Sequence, residues 1–297
     1  MNGLALSLVL GSAVIHASWN LVAKRAAGRH AGSAVVFVWL FASLSVLAYT
    51  PVVVAFIAWA RPAFNLTHAV LALGSALLHV AYFVTLQRGY RVGDLSVVYP
   101  LARGSGPVLA TVLAVLVLAE RPGLQALAGT ALVVSGVLVL AGGRRPPPSP
   151  GGSEPRVLPA GAVYGLVTGM FIGSYTVWDG YAVSVAGAAP LLFSYASEIG
   201  RAVMLTPVAL ARPGDVRSTW RVLRRPAMLI ALLSPLAYLM VLMAMQFTPV
   251  SLVAPARETS ILIGTLMGTR ILAEGHGRRR AAGAVAMVLG VVLLATT

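Results

Sequence analysis

Apolar residues run through this chain in long blocks separated by short polar ones. Ten such blocks recur, at roughly 3–22, 34–59, 66–87, 95–118, 123–141, 160–182, 188–211, 227–247, 251–272 and 281–297. A helix needs about 20 apolar residues to cross the hydrocarbon layer of a bilayer. The pattern therefore predicts an all-α integral membrane protein with ten transmembrane helices. Between the fifth and sixth blocks the character changes. Residues 142–158 carry Arg144, Arg145, three prolines at 146–148, and Gly151-Gly152. Proline and glycine in this density predict an extended linker with no core of its own. The chain is thus expected to divide into a five-helix unit (1–141), a linker (142–158) and a second five-helix unit (159–297).

The two units echo each other. Trp19-Asn20 near the end of span 1 matches Trp178-Asp179 near the end of span 6. Thr50-Pro51 matches Thr206-Pro207, Tyr82 matches Tyr238, and Pro100 matches Pro255. Leu118-Ala119-Glu120 matches Leu272-Ala273-Glu274. Nine and sixteen residues after each of those glutamates stands a glycine: Gly129 and Gly136, then Gly283 and Gly290. The order is kept throughout. Five spans is an odd number, so two such copies sit in a membrane with opposite topology. That is the inverted repeat of many secondary transporters, whose site lies near the midplane between repeats.

Composition agrees with a membrane. Of the 297 residues, 58% are hydrophobic and 10% charged, against about 25% charged in soluble domains. The net charge of +14 is spread over short loops, which argues against a nucleic-acid surface. No cysteine is present, which excludes disulfides and thiolate metal sites. The first apolar block has no positive charge before it; Lys24, Arg25 and Arg29 follow it. That order predicts a retained span, not a cleaved signal. Loops after spans 1, 3, 5, 7 and 9 hold 17 of the Lys and Arg residues. The opposite loops and both tails hold two, Arg61 and Arg121. The positive-inside rule then places the linker in the cytoplasm and both termini outside.

A few ionisable residues fall inside the spans. Val98-Tyr99-Pro100-Leu101-Ala102-Arg103 and its echo Val253-Ala254-Pro255-Ala256-Arg257-Glu258 each put charge shortly after a proline. A charge at that depth costs roughly 2.5–3.5 kcal/mol on insertion scales, and such residues usually face a protein interior or a wet cavity. Arg103 suits an anionic group, because a guanidinium offers a planar fork to a carboxylate or phosphate; the alternative is an ion pair with Glu258. Glu258 is the candidate for proton coupling, with an opposing arginine working against that role. His16 is a second candidate. Glu198 and Arg201 share a face of span 7 at i, i+3 and read as a pair locking that span to the bundle.

His16, Trp19 and Asn20 also share a face, as do Tyr175, Trp178 and Asp179 in span 6. Each set suits either solute stacking or interfacial anchoring. His79 and Tyr82, with Tyr238 opposite and Tyr99 beyond, are expected to form an aromatic wall. Glycines 161, 165, 169 and 173 at four-residue spacing read as a close helix–helix contact.

The ordered set resembles the EamA-type branch of the drug/metabolite transporter superfamily. It comprises ten spans in two halves, Trp-Asn and Trp-Asp closing spans 1 and 6, the Pro-Arg elements early in spans 4 and 9, and Leu-Ala-Glu before the last span of each half. The resemblance covers nearly everything but the linker. It implies a carrier of the bacterial cytoplasmic (inner) membrane, usually an exporter of amino acids, related metabolites or drugs. It also implies a central cavity lined by spans 1, 3, 4, 6, 8 and 9. Two features depart from the family: relatives are often described with cytoplasmic termini, and many lack a histidine at the position of His16.

The expected function is a secondary transporter of a small polar or amphipathic metabolite. The substrate-binding set is Arg103, Tyr99, His16, Trp19, Asn20, His79, Tyr82, Tyr175, Trp178, Asp179, Tyr238 and Arg257, with Glu258 beside it. No cofactor is expected: the chain has no G-x-x-x-x-G-K-[ST] sequence, so the expected drive is a gradient, with protons through Glu258 or His16 as candidates, or facilitated diffusion. The expected partners are a small-molecule substrate and the lipid bilayer, with a monomer plausible. The competing readings are an intramembrane enzyme, against which stands the lack of H-E-x-x-H and of a thiol nucleophile, and a sensory membrane protein.

Overall fold

A computed structural model describes residues 1–27, 33–92, 95–141, 160–263 and 278–297. The regular structure of these residues is helical. The helices are α1 (Gly3–Ala27), α2 (Ala34–Ala60), α3 (Leu66–Val92), α4 (Leu95–Val117), α5 (Leu124–Ala141), α6 (Ala160–Ser184), α7 (Pro190–Leu210), α8 (Pro213–Met245), α9 (Val250–Arg257) and α10 (Arg278–Ala295). The linker 142–158 and the Leu272-Ala273-Glu274 element lie outside the described residues.

Helices α1, α2, α3, α6 and α8 are each long and apolar enough to cross a membrane. Large apolar side chains are displayed outward over the bundle, among them Trp59 (85% exposed) and Leu116 (74%). A water-soluble surface seldom shows a contiguous apolar belt of this kind. The chain is a multi-pass membrane protein.

Helix boundaries depart from the apolar blocks where a helix leaves the hydrocarbon. α1 runs on past the first block through Lys24 and Arg25, and α8 begins at Pro213, well ahead of residue 227. Hydropathy marks the buried stretch of a span, not the end of its hydrogen-bonded ladder. The ninth block is interrupted. α9 ends at Arg257, Glu258 is a turn, and helix resumes over 259–263. Pro255 lies inside α9 and lacks the N–H that would bond back one turn. At the break itself the Glu258 N–H bonds to Pro255 O (3.1 Å), a tighter turn than an α-helix makes.

The helices pack in a recurring pattern. α1 lies on α8, and α3 lies on α6. α2 packs on both α7 and α8, and α3 also meets α7. α4 lies between α6 and α9, and α5 pairs with α10. The α5–α10 contact depends on glycine. A Cβ on Gly129 would stand 2.9 Å from Gly290 O, and one on Gly290 would stand 2.6 Å from Gly129 O. One turn pair away, a Cβ on Gly136 would stand 2.6 Å from Gly283 O. Only a missing side chain allows backbones this close. The span-6 glycines serve α4 in the same way: a Cβ on Gly165 would lie 2.9 Å from Val98 O, and one on Gly173 would lie 3.0 Å from Ala110 N.

Glu120 ties the two halves on the side of the termini. Ala119 takes a left-handed conformation (φ 54), uncommon outside glycine, and this turns Glu120 toward α9. Its two carboxylate oxygens accept from Val250 N (2.7 Å) and Ser251 N (2.9 Å). These are donors that the first turn of a helix leaves without partners. On the same side, the Met1 amine donates to Ala295 O (3.1 Å).

Candidate functional site: a charged cavity between the helices

A cavity of about 140 Å³ opens among α1, α3, α4, α6, α7, α8 and α9. Helical spacing explains who lines it. His16, Trp19 and Asn20 fall on one face of α1, and all three reach the cavity. His16 Nδ1 bonds to the Ser12 carbonyl one turn back (3.2 Å), and Ser12 Oγ donates to Ala237 O of α8 (2.8 Å). The ring is thereby oriented from its Nδ1 edge. Asn20 Nδ2 donates to His16 O (2.7 Å). Trp19 Nε1 is buried without a hydrogen-bond partner among the described residues, although buried donors are normally paired.

Across from α1 stands the aromatic wall. His79 stacks on Tyr175, with ring centroids 4.1 Å apart. Tyr238 meets His79 edge-on at 5.5 Å, and Tyr82 meets Tyr175 at 5.8 Å. The Arg257 guanidinium lies 6.0 Å from the Tyr175 centroid, at the outer limit of a cation–π contact. His79 Nδ1 bonds to Ser75 O (2.9 Å).

Charge is concentrated on one side. Arg103 Nε lies 3.4 Å from Glu258 Oε2, and Arg257 Nε lies 3.8 Å from Glu258 Oε1. Glu258 itself is fully buried. Two guanidinium groups from different halves of the chain thus converge on one carboxylate. The break after Pro255 is what lets consecutive residues Arg257 and Glu258 both address this point. On α7, Arg201 pairs with Glu198.

The sequence-derived set is therefore gathered unevenly. Arg103, His16, Trp19, Asn20, His79, Tyr82, Tyr175, Tyr238 and Arg257 line the cavity. Glu258 stands behind the arginines. Asp179 is buried behind the wall and accepts a hydrogen bond from the Tyr238 hydroxyl. Trp178 lies elsewhere. Its ring covers Gly74, its Nε1 donates to Leu71 O (2.8 Å), and it is 38% exposed on the outside. The two tryptophans diverge for a steric reason. Gly74, eight residues before Tyr82, leaves a notch that Trp178 fills. The corresponding position before Tyr238 is Ile230, which is bulky and buried, so Trp19 has no such notch. The side chain of Tyr99 lies outside the described residues.

Sequence reasoning left out cavity residues Glu198, Arg201, Ser234 and Phe83. For the first two the signal is present as mid-span charges, but their i, i+3 spacing points equally to a pair that locks α7 to the bundle. Ser234 and Phe83 carry no signal that separates them from packing residues.

Comparison with known proteins bears on the whole chain. The model of the EamA-like transporter family matches twice, over residues 3–142 and 159–296. A solved crystal structure superposes with a TM-score of 0.76, over 99% of this chain and 96% of that one, at 15% sequence identity. That degree of identity speaks to the fold alone. Among curated proteins, none matches the sequence significantly.

Proposed function

The chain belongs to the EamA-like transporter family, and from that premise we propose that it is a secondary transporter, working by alternating access around the charged cavity. The observation that carries this reading is the cavity itself. Arg103, Arg201, Arg257 and Glu198 line one open space, and Glu258 is buried behind the arginines. Charges are costly at that depth and are kept where they face a wet interior.

The cavity's chemistry favours a small solute with a carboxylate and an apolar part. Arg103 and Arg257 offer guanidinium forks to an anion. Trp19 Nε1 offers one further donor, and the His79–Tyr175–Tyr238 wall offers aromatic surface. A volume of about 140 Å³ accommodates a small solute such as an amino acid or an organic anion. Clasped between two arginines, Glu258 serves this reading better as their shared counter-ion than as a proton carrier. A solute carboxylate entering the cavity competes with it for them.

The ten spans as two inverted repeats supply the motion. Helix packing supports this: α1 on α8 is the counterpart of α3 on α6, and α2 on α7, α4 on α9 and α5 on α10 are pairs of equivalents. Gly129 against Gly290 and Gly136 against Gly283 exchange in the same way. A twofold relation between the halves produces reciprocity of this kind. From midplane residues the cavity extends toward Asn20 and Leu86, near the C-terminal ends of α1 and α3. That is the arginine-rich side, read as cytoplasmic. The opposite side is closed by the Glu120–α9 contact and by His68 Nε2 with Ala186 O (2.9 Å). This is an inward-facing arrangement in a bacterial inner membrane, and export is the direction in keeping with the family resemblance.

Counterflow in liposomes tests the reading. Purified protein, preloaded with one unlabelled amino acid or organic acid at a time, is expected to accumulate the same labelled solute transiently, for at least one member of the panel. The solute is recovered unmodified. Chemical conversion of the solute points to an enzyme instead, and binding without exchange points to a sensor.

A further inference from the structure

α8 is longer than a bilayer requires. Its 33 residues extend about 50 Å at 1.5 Å per residue, against a hydrocarbon layer of about 30 Å. The stretch 226–245 suffices to cross. The outward face of the helix changes character at the same place. Before Pro226 it displays Arg217, Arg221, Arg224 and Arg225, all exposed. After Pro226 it displays Met228, Leu229 and Leu232. The surface of the membrane is written into this change.

The arginines form one face. At 3.6 residues per turn, the four fall within an arc of about 100°. Thr219, Leu223, Ala227 and Ile230 occupy the opposite side and are buried against the bundle. The overhang is thus held by its inner side and offers its cations outward. None of the four makes an ion pair with a described acid, and Asp215 lies outside the arc. Trp220, 41% exposed, flanks it, and tryptophan favours the headgroup level. Measured from Pro226, Arg225, Arg224 and Arg221 rise by about 1.5–8 Å along the axis. The headgroup layer of one leaflet is about 5–8 Å thick. Three of the four arginines therefore start at the depth of lipid phosphates, and Arg217, about 13.5 Å from Pro226, stands beyond that layer.

We propose that this arginine face is a binding site for anionic phospholipid headgroups of the leaflet into which α8 emerges. A guanidinium meets a phosphate with paired hydrogen bonds. A zwitterionic headgroup brings its own cation and competes with the arginines; an anionic one does not. α8 also carries Ser234 and Tyr238 of the cavity wall, so the lipid contact sets the height of that wall in the membrane. The site stands independently of what the cavity transports.

The test uses the full chain in phosphatidylcholine nanodiscs with or without phosphatidylglycerol, followed by native mass spectrometry of retained lipid. Wild type is expected to retain phosphatidylglycerol over phosphatidylcholine. R221Q alone is expected to weaken that retention roughly fivefold, the equivalent of about 1 kcal/mol per arginine. R217Q/R221Q/R224Q/R225Q is expected to remove the preference. The pair R61Q/R121Q, in the opposite loops, is expected to leave it unchanged. Inorganic phosphate added to the discs that contain phosphatidylglycerol separates the two sources of the oxyanion. Displacement of phosphatidylglycerol by phosphate at equal concentration, a quadruple variant with wild-type preference, or a wild type with none would each overturn the proposal. If the quadruple variant does not fold, R221Q and R224Q singly decide it.

Discussion

Arg103→Ala is expected to abolish counterflow while leaving the protein folded and at normal levels in the membrane. Removing the guanidinium that a solute carboxylate would pair with costs about 2–5 kcal/mol of binding, or roughly 30- to 4,000-fold. The fold survives because Glu258 retains Arg257 (3.8 Å), and because the Arg103 side chain is 16% accessible while that of Glu258 is not accessible at all. Glu258→Ala is expected to do the reverse. It removes a carboxylate that Arg103 and Arg257 share, and breaking a buried pair this way costs about 3–5 kcal/mol of stability. That is a large share of the 5–15 kcal/mol typical of a folded domain. Thermal unfolding in detergent and counterflow in liposomes, measured on both variants, separate the two effects. Equal loss of stability in both would reduce Arg103 to a structural residue.

The second large effect concerns the α5–α10 contact. Gly290→Ala places a methyl 2.6 Å from Gly129 O and 2.8 Å from Val133 N. Neither backbone atom can rotate aside. Overpacking of a tight contact costs about 1–3 kcal/mol, and here the helices must separate. Gly129→Ala is expected to cost a similar amount, its methyl standing 2.9 Å from Gly290 O. The double variant is expected to lose less than the sum, because either methyl alone has already forced the helices apart, and neighbouring sites do not add. Melting temperatures of the two single variants and the double variant check this. Additive losses would mean that the two glycines act separately.

Much of this arrangement was legible in the residues. The apolar blocks mark the spans because a bilayer demands about 20 apolar residues from each helix. The echoes from Trp19-Asn20 to Gly136 are the ground for proposing two equivalent halves, since equivalent helices would face equivalent packing problems. What escaped has identifiable causes. The start of α8 at Pro213 was hidden because its first turns lie outside the hydrocarbon, where hydropathy is silent. The path of Trp178 depends on Gly74, a residue in another helix, so local spacing could not place it. Glu198 and Arg201 stand out as charges, but an i, i+3 pair looks the same whether it faces a neighbour or a cavity. Glu120 was visible as half of a repeated motif. Its carboxylate on the first turn of α9 required the left-handed Ala119, which nothing in an Ala-Glu sequence announces.

The absence of cysteine from the natural chain permits one direct measurement of the wet chamber. Ser234 lines the cavity, whereas Leu232, two residues away on α8, faces outward and is 50% exposed. Single cysteines at the two positions, in protein embedded in liposomes, are to be treated with a charged, membrane-impermeant thiol reagent. Ser234→Cys is expected to react readily, and more slowly when transported solute is present. Leu232→Cys is expected to stay inert in lipid. An unreactive Ser234→Cys beside a reactive Leu232→Cys would contradict a water-filled cavity between the helices.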